Sequence, residues 1–189
     1  VRSVEMILCT QHRRPNVAGA YAFVEQGAQL LVPMGERHLF EDVETYWGDP
    51  KNRWHIYHHQ PQQVLVRPIP VTRAVREGDA IAWQGYTVQV LDTPGATDGS
   101  VSYLVEVGGT TVCFCGDALY GPGQLWDLSS LQKGNDIIRD YHGFIGNAHL
   151  LISSLRKLGL CGADLLVPSH GEIIRDPQVA TDLTIERLG

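Results

Sequence analysis

Long apolar runs are absent from this 189-residue sequence, and none approaches the roughly 20 residues that a bilayer span requires. No charged-then-apolar leader with a small-residue cleavage site opens it, so the expectation is a cytoplasmic protein without a membrane segment. No run of five like charges occurs and the formal net charge is −6. That acidic balance opposes nucleic acid and anionic membrane surfaces as partners, leaving small-molecule ligands and other proteins. The four cysteines, Cys9, Cys113, Cys115 and Cys161, lie mostly inside apolar runs rather than in a spaced framework. They read as reduced core thiols. Internal repeats are lacking too, as is a clean domain boundary, so residues 1–189 read as a single α/β domain.

Hydrophobic residues make up 43% and charged residues 19%, the balance of a soluble globular chain with one substantial core. Val4 to Cys9 is a short apolar strand. Val17, Tyr21 and Val24 share one helical face, predicting a helix from Pro15 to Gln26 with Gly27 at its C-terminal cap. Leu30-Leu31-Val32 is a buried strand ended by Pro33, and Gly35 to about Trp47 reads as a second helix. Gly48 to Gln63 is loop-like. From Val64 to Cys115, strands alternate with turn signals at Gly78, Gly85 and Gly108-Gly109, as in an antiparallel meander. Asn135 to Leu158 reads as one long amphipathic helix with Ile138, Tyr141, Ile145, Ala148, Ile152 and Leu155 on its apolar stripe. Asp164 to Val167 is a last strand, and a final helix starts near Pro177.

Four strand ends run into polar or glycine-bearing turns: TQHRRPNVAG (10–19), LDTPGATDGSVSYL (91–104), CFCGDALY (113–120) and LLVPSHGEII (165–174). Such turns are where open sheets project functional side chains. In this order they resemble the metallo-β-lactamase superfamily, whose pattern runs T-H-x-H-x-D-H-x-x-G, T-P-G-H-T-x-G-S, G-D and G-H-G. Thr10 and Gly19 bracket the first motif. Thr93-Pro94-Gly95 with Thr97, Gly99 and Ser100 carry the second, Gly116-Asp117 the third and His170-Gly171 the fourth. The resemblance implies a four-layer αββα sandwich. It also implies several strands ahead of the first motif, whereas only nine residues precede Thr10. The expectation is therefore a fold incomplete at its N-terminus, its sheet covered by a second copy of the chain or another protein partner.

The resemblance also implies a binuclear metal centre held by imidazoles and carboxylates. Carried over residue by residue, the ligand positions hold Gln11, Arg13, Pro15, Asn16, Ala96, Asp117 and His170. Only Asp117 and His170 keep the chemistry of ligands. Proline and alanine have no donor atom, carboxamides are weak ligands, and a protonated guanidinium has no lone pair to offer. His12 stands one residue out of register. Arg13 is expected to replace the charge of the metal by pairing with Asp117 at about 2.7–2.9 Å; the bland alternative sends Arg13 to solvent and makes Asp117 a turn cap.

Two functional readings follow. In the first, the protein has no resident cofactor and is a non-catalytic binding or structural partner with a degenerate site. In the second, it hydrolyses an ester, thioester or lactam with one zinc, iron or manganese ion on Asp117, His170 and a third donor such as His12 or a histidine of the His55, His58 and His59 loop. Ser169 beside His170 suggests a nucleophile and base, but adjacent residues rarely face each other. His38, His142 and His149 read as surface or packing residues.

Overall fold

Strand β1 (Met6–Leu8) pairs in parallel with β2 (Gln29–Pro33), which pairs in parallel with β3 (Arg73–Val75). These elements come from a computed structural model that describes residues 3–50, 52, 64–125 and 146–188. The chain divides into two compact units, Val1–Val75 and Arg76–Gly189.

In the first unit, Leu30, Leu31 and Val32 at the centre of the three-stranded sheet are buried. A strand covered on both faces needs such a continuous apolar run rather than alternation. The connection from β1 to β2 is helical, as a parallel crossover requires. The helix predicted from Pro15 to Gln26 is two pieces, α1 (Arg14–Val17) and α2 (Ala20–Val24), with Ala18 and Gly19 in the break. Val17 and Ala20 still reach the core, so the apolar spacing survives the break. Gly27 does end the segment, its amide donating to the Val24 carbonyl and that of Ala28 to the Phe23 carbonyl.

The second predicted helix is likewise subdivided. A 3-10 turn at Met34–Glu36 leads into α3 (His38–Glu41) and α4 (Val43–Gly48), and Asp42 leaves helical geometry at φ −113° and ψ 46°. Pieces this short are held by packing rather than by intrinsic helicity. Phe40 and Val43 on either side of the break are buried with Val64, Leu65 and Ile69.

In the second unit, β4 (Ala80–Trp83), β5 (Tyr86–Asp92), β6 (Val101–Val107) and β7 (Thr110–Gly116) form an antiparallel meander, and β8 (Leu165–Pro168) joins β7 in parallel. Both residues of the Gln84-Gly85 and Gly108-Gly109 turns have positive φ, the geometry that matches hairpin twist. The meander predicted from Val64 therefore begins only at Ala80. Residues 64–72 hold no strand, and Arg73–Val75 belong to the first sheet, in parallel.

Helices α5 (Ala148–Leu160) and α6 (Pro177–Leu188) cover one face of this sheet. Leu151, Leu155 and Leu158 of α5 and Ala180 of α6 pack with Cys113, Cys115 and Leu166. Within the span predicted as one long helix, α5 starts only at Ala148, because Asn147 takes an extended backbone and its side chain accepts the Leu150 amide at 3.1 Å. An asparagine in that role starts a helix rather than continuing one. Positions 135–145, with Ile138, Tyr141, Ile145 and His142, lie outside the described residues, as do His55, His58 and His59. The buried stripe of α5 runs through Leu151, Ser154, Leu155 and Leu158, while Ala148 and Ile152 are only half-buried. The final strand and helix stand close to where the sequence puts them. Among the described residues, no helix is long and apolar enough to cross a membrane.

Candidate functional site

The loop after β1 begins with the Cys9 amide donating to the Leu31 carbonyl at 2.9 Å, which extends the parallel pairing by one step. Gln11 follows and is buried, its Oε1 accepting the Arg13 amide at 3.3 Å. The carboxamide thus braces its own loop. Arg13 occupies the N-cap of α1, Pro15 lies in the first turn and Asn16 donates its amide to the Arg13 carbonyl. Proline is well suited to a first turn, where its missing N–H has no helical partner to lose. Arg14 is anchored by donating Nε to the Val64 carbonyl at 2.9 Å, with its guanidinium over the Trp47 ring.

His12 does not simply fall between register positions. Its Nδ1 lies 2.8 Å from Oε2 of Glu36, a carboxylate with 2% of its side chain exposed. Glu36 stands just past the carboxyl end of β2, and His12 just past that of β1. Sequence reasoning missed Glu36; the only signal available was an acid in the turn after a buried strand. Burial, with the charge of Glu36 second, pushes the Cys9 thiol up to about 12, so it stays protonated.

In the second unit, the Thr93-Pro94-Gly95 turn is built into the start of α5. The Asn147 amide donates to the Gly95 carbonyl at 2.8 Å, and Ser154 Oγ donates to the Pro94 carbonyl at 2.6 Å. A Cβ on Gly95, whose φ is +135°, would lie 2.4 Å from Leu151 Cα, so the turn needs glycine there. Thr93 Oγ1 bonds Ser102 Oγ at 2.7 Å, and Ser100 Oγ donates to the Thr93 and Thr97 carbonyls. The motif hydroxyls at Thr93 and Ser100 therefore hold loop shape. Ala96 is buried between them in sequence, and Thr97 Oγ1 is buried with no hydrogen-bond partner among the described residues.

Asp117 and His170 come together. Asp117 Oδ1 lies 3.0 Å from His170 Nδ1, the carboxylate 2% and the imidazole 26% exposed. Gly116 ends β7 with positive φ at an irregularity in the β7–β8 register, and the Ser169 amide donates to its carbonyl at 2.9 Å. These bonds fix the two turns side by side. Because a carboxylate only accepts, Nδ1 carries the ring proton toward Asp117 and a neutral ring has its lone pair on Nε2. Ser169 is exposed, and His38 and His149 are exposed on α3 and α5.

Among the described residues, no three His, Cys, Asp or Glu side chains gather to hold a metal ion. What each unit holds instead is an imidazole–carboxylate pair. A catalytic zinc takes three protein ligands and an open position, and Gln11, Arg13, Pro15, Asn16 and Ala96 cannot supply them. A binuclear centre does not fit the donors among the described residues.

Residues 15–170 match the family model of the metallo-beta-lactamase superfamily. The chain is 30% identical over 174 residues to a hydroxyacylglutathione hydrolase of Hahella chejuensis, covering 79% of this chain and 66% of that protein. It is 25% identical over 153 residues to an atrochrysone carboxyl ACP thioesterase of Aspergillus fumigatus, covering 81% of this chain and 39% of that one. The fold matches a metallo-beta-lactamase family protein from Thermus thermophilus with a TM-score of 0.61 and 23% identity, over 97% of this chain and 60% of that structure. The chain thus spans two thirds or less of the length of these proteins.

Proposed function

The chain belongs to the metallo-β-lactamase superfamily, and from that premise we propose that it hydrolyses an ester or thioester, with His170 as general base and Asp117 as the residue that orients it. The observation that carries this reading is the 3.0 Å contact between Asp117 Oδ1 and His170 Nδ1. The names of the two relatives, a hydroxyacylglutathione hydrolase and an ACP thioesterase, support the thioester class.

His170 Nε2 takes a proton from water as the water oxygen bonds to the acyl carbon, and the C–S or C–O bond breaks with its electron pair leaving on sulfur or oxygen. The imidazolium then returns the proton to the leaving group. Asp117, buried against the ring, keeps it in the useful tautomer and stabilises its charged form. A positioned base of this kind contributes about 10²–10⁴-fold. No step is routed through a metal ion, because the donors among the described residues do not fit one.

Binding without turnover is the second reading, and the loss of donors at Gln11, Arg13, Pro15, Asn16 and Ala96 favours it. One experiment separates the readings: metal analysis of the purified protein, with hydrolysis of S-lactoylglutathione and a panel of acyl thioesters measured with and without chelator. Hydrolysis that survives chelator and is lost in His170→Gln supports the proposal. Stoichiometric metal with chelator-sensitive hydrolysis overturns its metal-independent mechanism and points to a third donor outside the described residues. No hydrolysis of any member leaves binding alone.

Association with a second copy or another protein belongs to the same proposal, supported by the exposed apolar side chains of Trp83, Tyr86, Val107 and Phe114 along the meander. Light scattering across a dilution series tests self-association; a monomer at every concentration, together with no partner recovered by cross-linking, would sink it.

A further inference from the structure

The first unit carries a charge pair that the hydrolase reading does not use. β1 and β2 are parallel neighbours, so their carboxyl ends lie at the same edge of the sheet, with His12 in the turn after one and Glu36 in the turn after the other. The second unit repeats the arrangement with the residue types exchanged, the acid after β7 and the imidazole after β8. Carboxyl ends of parallel strands are where α/β sheets bind ligands.

We propose that His12 is a reactive imidazole that accepts acyl groups from small activated acyl compounds, such as anhydrides and activated esters, with Glu36 as its proton acceptor. The inference stands apart from the hydrolase reading.

Three features of the geometry lead there. The Glu36 carboxylate accepts at 2.8 Å from Nδ1, which places the lone pair of the neutral ring on Nε2. Glu36 is almost wholly buried while His12 keeps 11% of its side chain exposed. Of the two partners, the imidazole is therefore the one with surface open to solvent. Nearby sequence offers no better nucleophile, since the Cys9 thiol is buried and protonated and Gln11 is buried and bonded to the loop backbone.

The step balances. The Nε2 lone pair forms the N–C bond to the acyl carbon, the bond from that carbon to the leaving oxygen breaks, and the leaving group departs with the electron pair. The Nδ1 proton passes to Glu36 Oε2, so the acylated ring is neutral. Water hydrolyses the acylimidazole and restores the pair.

The test uses diethyl pyrocarbonate on the intact chain, with modification followed residue by residue in peptide mass spectra. His38 and His149, both exposed on helices, are references within the same molecule. His12 is expected to react at least about tenfold faster than either, a modest share of what a positioned proton acceptor contributes. Glu36→Gln should erase the excess, and hydroxylamine should reverse the adduct. Reaction at His12 no faster than at the references overturns the proposal without any variant. So does an excess that persists in a folded Glu36→Gln protein, because Glu36 would then serve structure alone.

Discussion

Asp117 Oδ1 sits 3.0 Å from Nδ1 of His170, although 53 positions separate the two residues in sequence. The parallel pairing of β8 with β7 makes this contact possible. Consecutive strands of the antiparallel meander point their carboxyl ends in opposite directions, so no two successive turns from β4 to β7 share an edge. β8 returns after α5 in the direction of β7, and the turns holding Gly116-Asp117 and His170-Gly171 then meet. Among the described residues, β8 is the one strand of this sheet outside the meander, and the Asp117–His170 contact depends on it.

If His170 is the base, removing it should act on the chemical step. His170→Gln is expected to lower kcat on acyl thioesters about a hundredfold or more, with KM little changed. Asp117→Asn should lower kcat as well, because an amide can donate to Nδ1 and turn the ring into the wrong tautomer. Steady-state kinetics on folded variants check both. A variant with unchanged kcat removes His170 from the reaction.

Gly171 supports the pair from behind. Its φ is +88°, and a Cβ there would lie 2.0 Å from the Tyr120 carbonyl oxygen. Backbone cannot yield cheaply at that distance, and a left-handed conformation is already unfavourable for alanine. Gly171→Ala should cost about 2 kcal/mol or more and reduce turnover along with stability. Denaturant unfolding beside the kinetic assay reads both effects.

Legibility in the sequence followed the range of the interaction that decides each feature. The placement of Asp117 and His170 in turns directly after apolar strands was readable, because their motifs come in a recognisable order. Glu36 was not, since its relation to His12 across 24 positions depends on β1 and β2 lying in parallel register. Local apolar spacing gave Val17, Tyr21 and Val24 one helical face, yet it could not show that the chain breaks at Ala18-Gly19 and still delivers Ala20 to the core. Val64 to Val75 looked like part of the meander because strand texture does not reveal the partner. Arg73–Val75 instead pair with Leu31–Pro33.

Asn147 fixes where α5 begins and so where the Thr93-Pro94-Gly95 turn is held. Its Oδ1 accepts the Leu150 amide, and its own amide is bonded to Gly95. Asn147→Ala keeps the backbone bond but leaves the Leu150 amide without its cap. The expected loss is about 1 kcal/mol, seen as a lower urea midpoint with an unchanged m-value. Asn147→Asp should retain most of the stability, since a carboxylate accepts the same amide and suits the positive end of the helix.

The four thiols should separate sharply toward an alkylating agent. Cys9 and Cys115 are buried and their thiols are each pushed up to about 12, chiefly by burial. Cys113 and Cys161 share a hydrogen bond that favours the thiol at Cys113 and the thiolate at Cys161, raising the first and lowering the second. Cys161 is also half-buried at the C-terminal end of α5, its Sγ within 3.1 Å of the Leu158 carbonyl, so it is the most reachable of the four. Iodoacetamide in native buffer is expected to label Cys161 first and the others only on unfolding. The sign of the pH dependence follows from the lowered value: labelling stays fast at neutral pH and slows as acid protonates the Cys161 thiolate. In Cys113→Ala the hydrogen bond is gone, and the onset of labelling should move to higher pH. Peptide mass spectra of time-quenched samples measure this, and an onset unchanged by Cys113→Ala would mean that Cys113 does not tune Cys161.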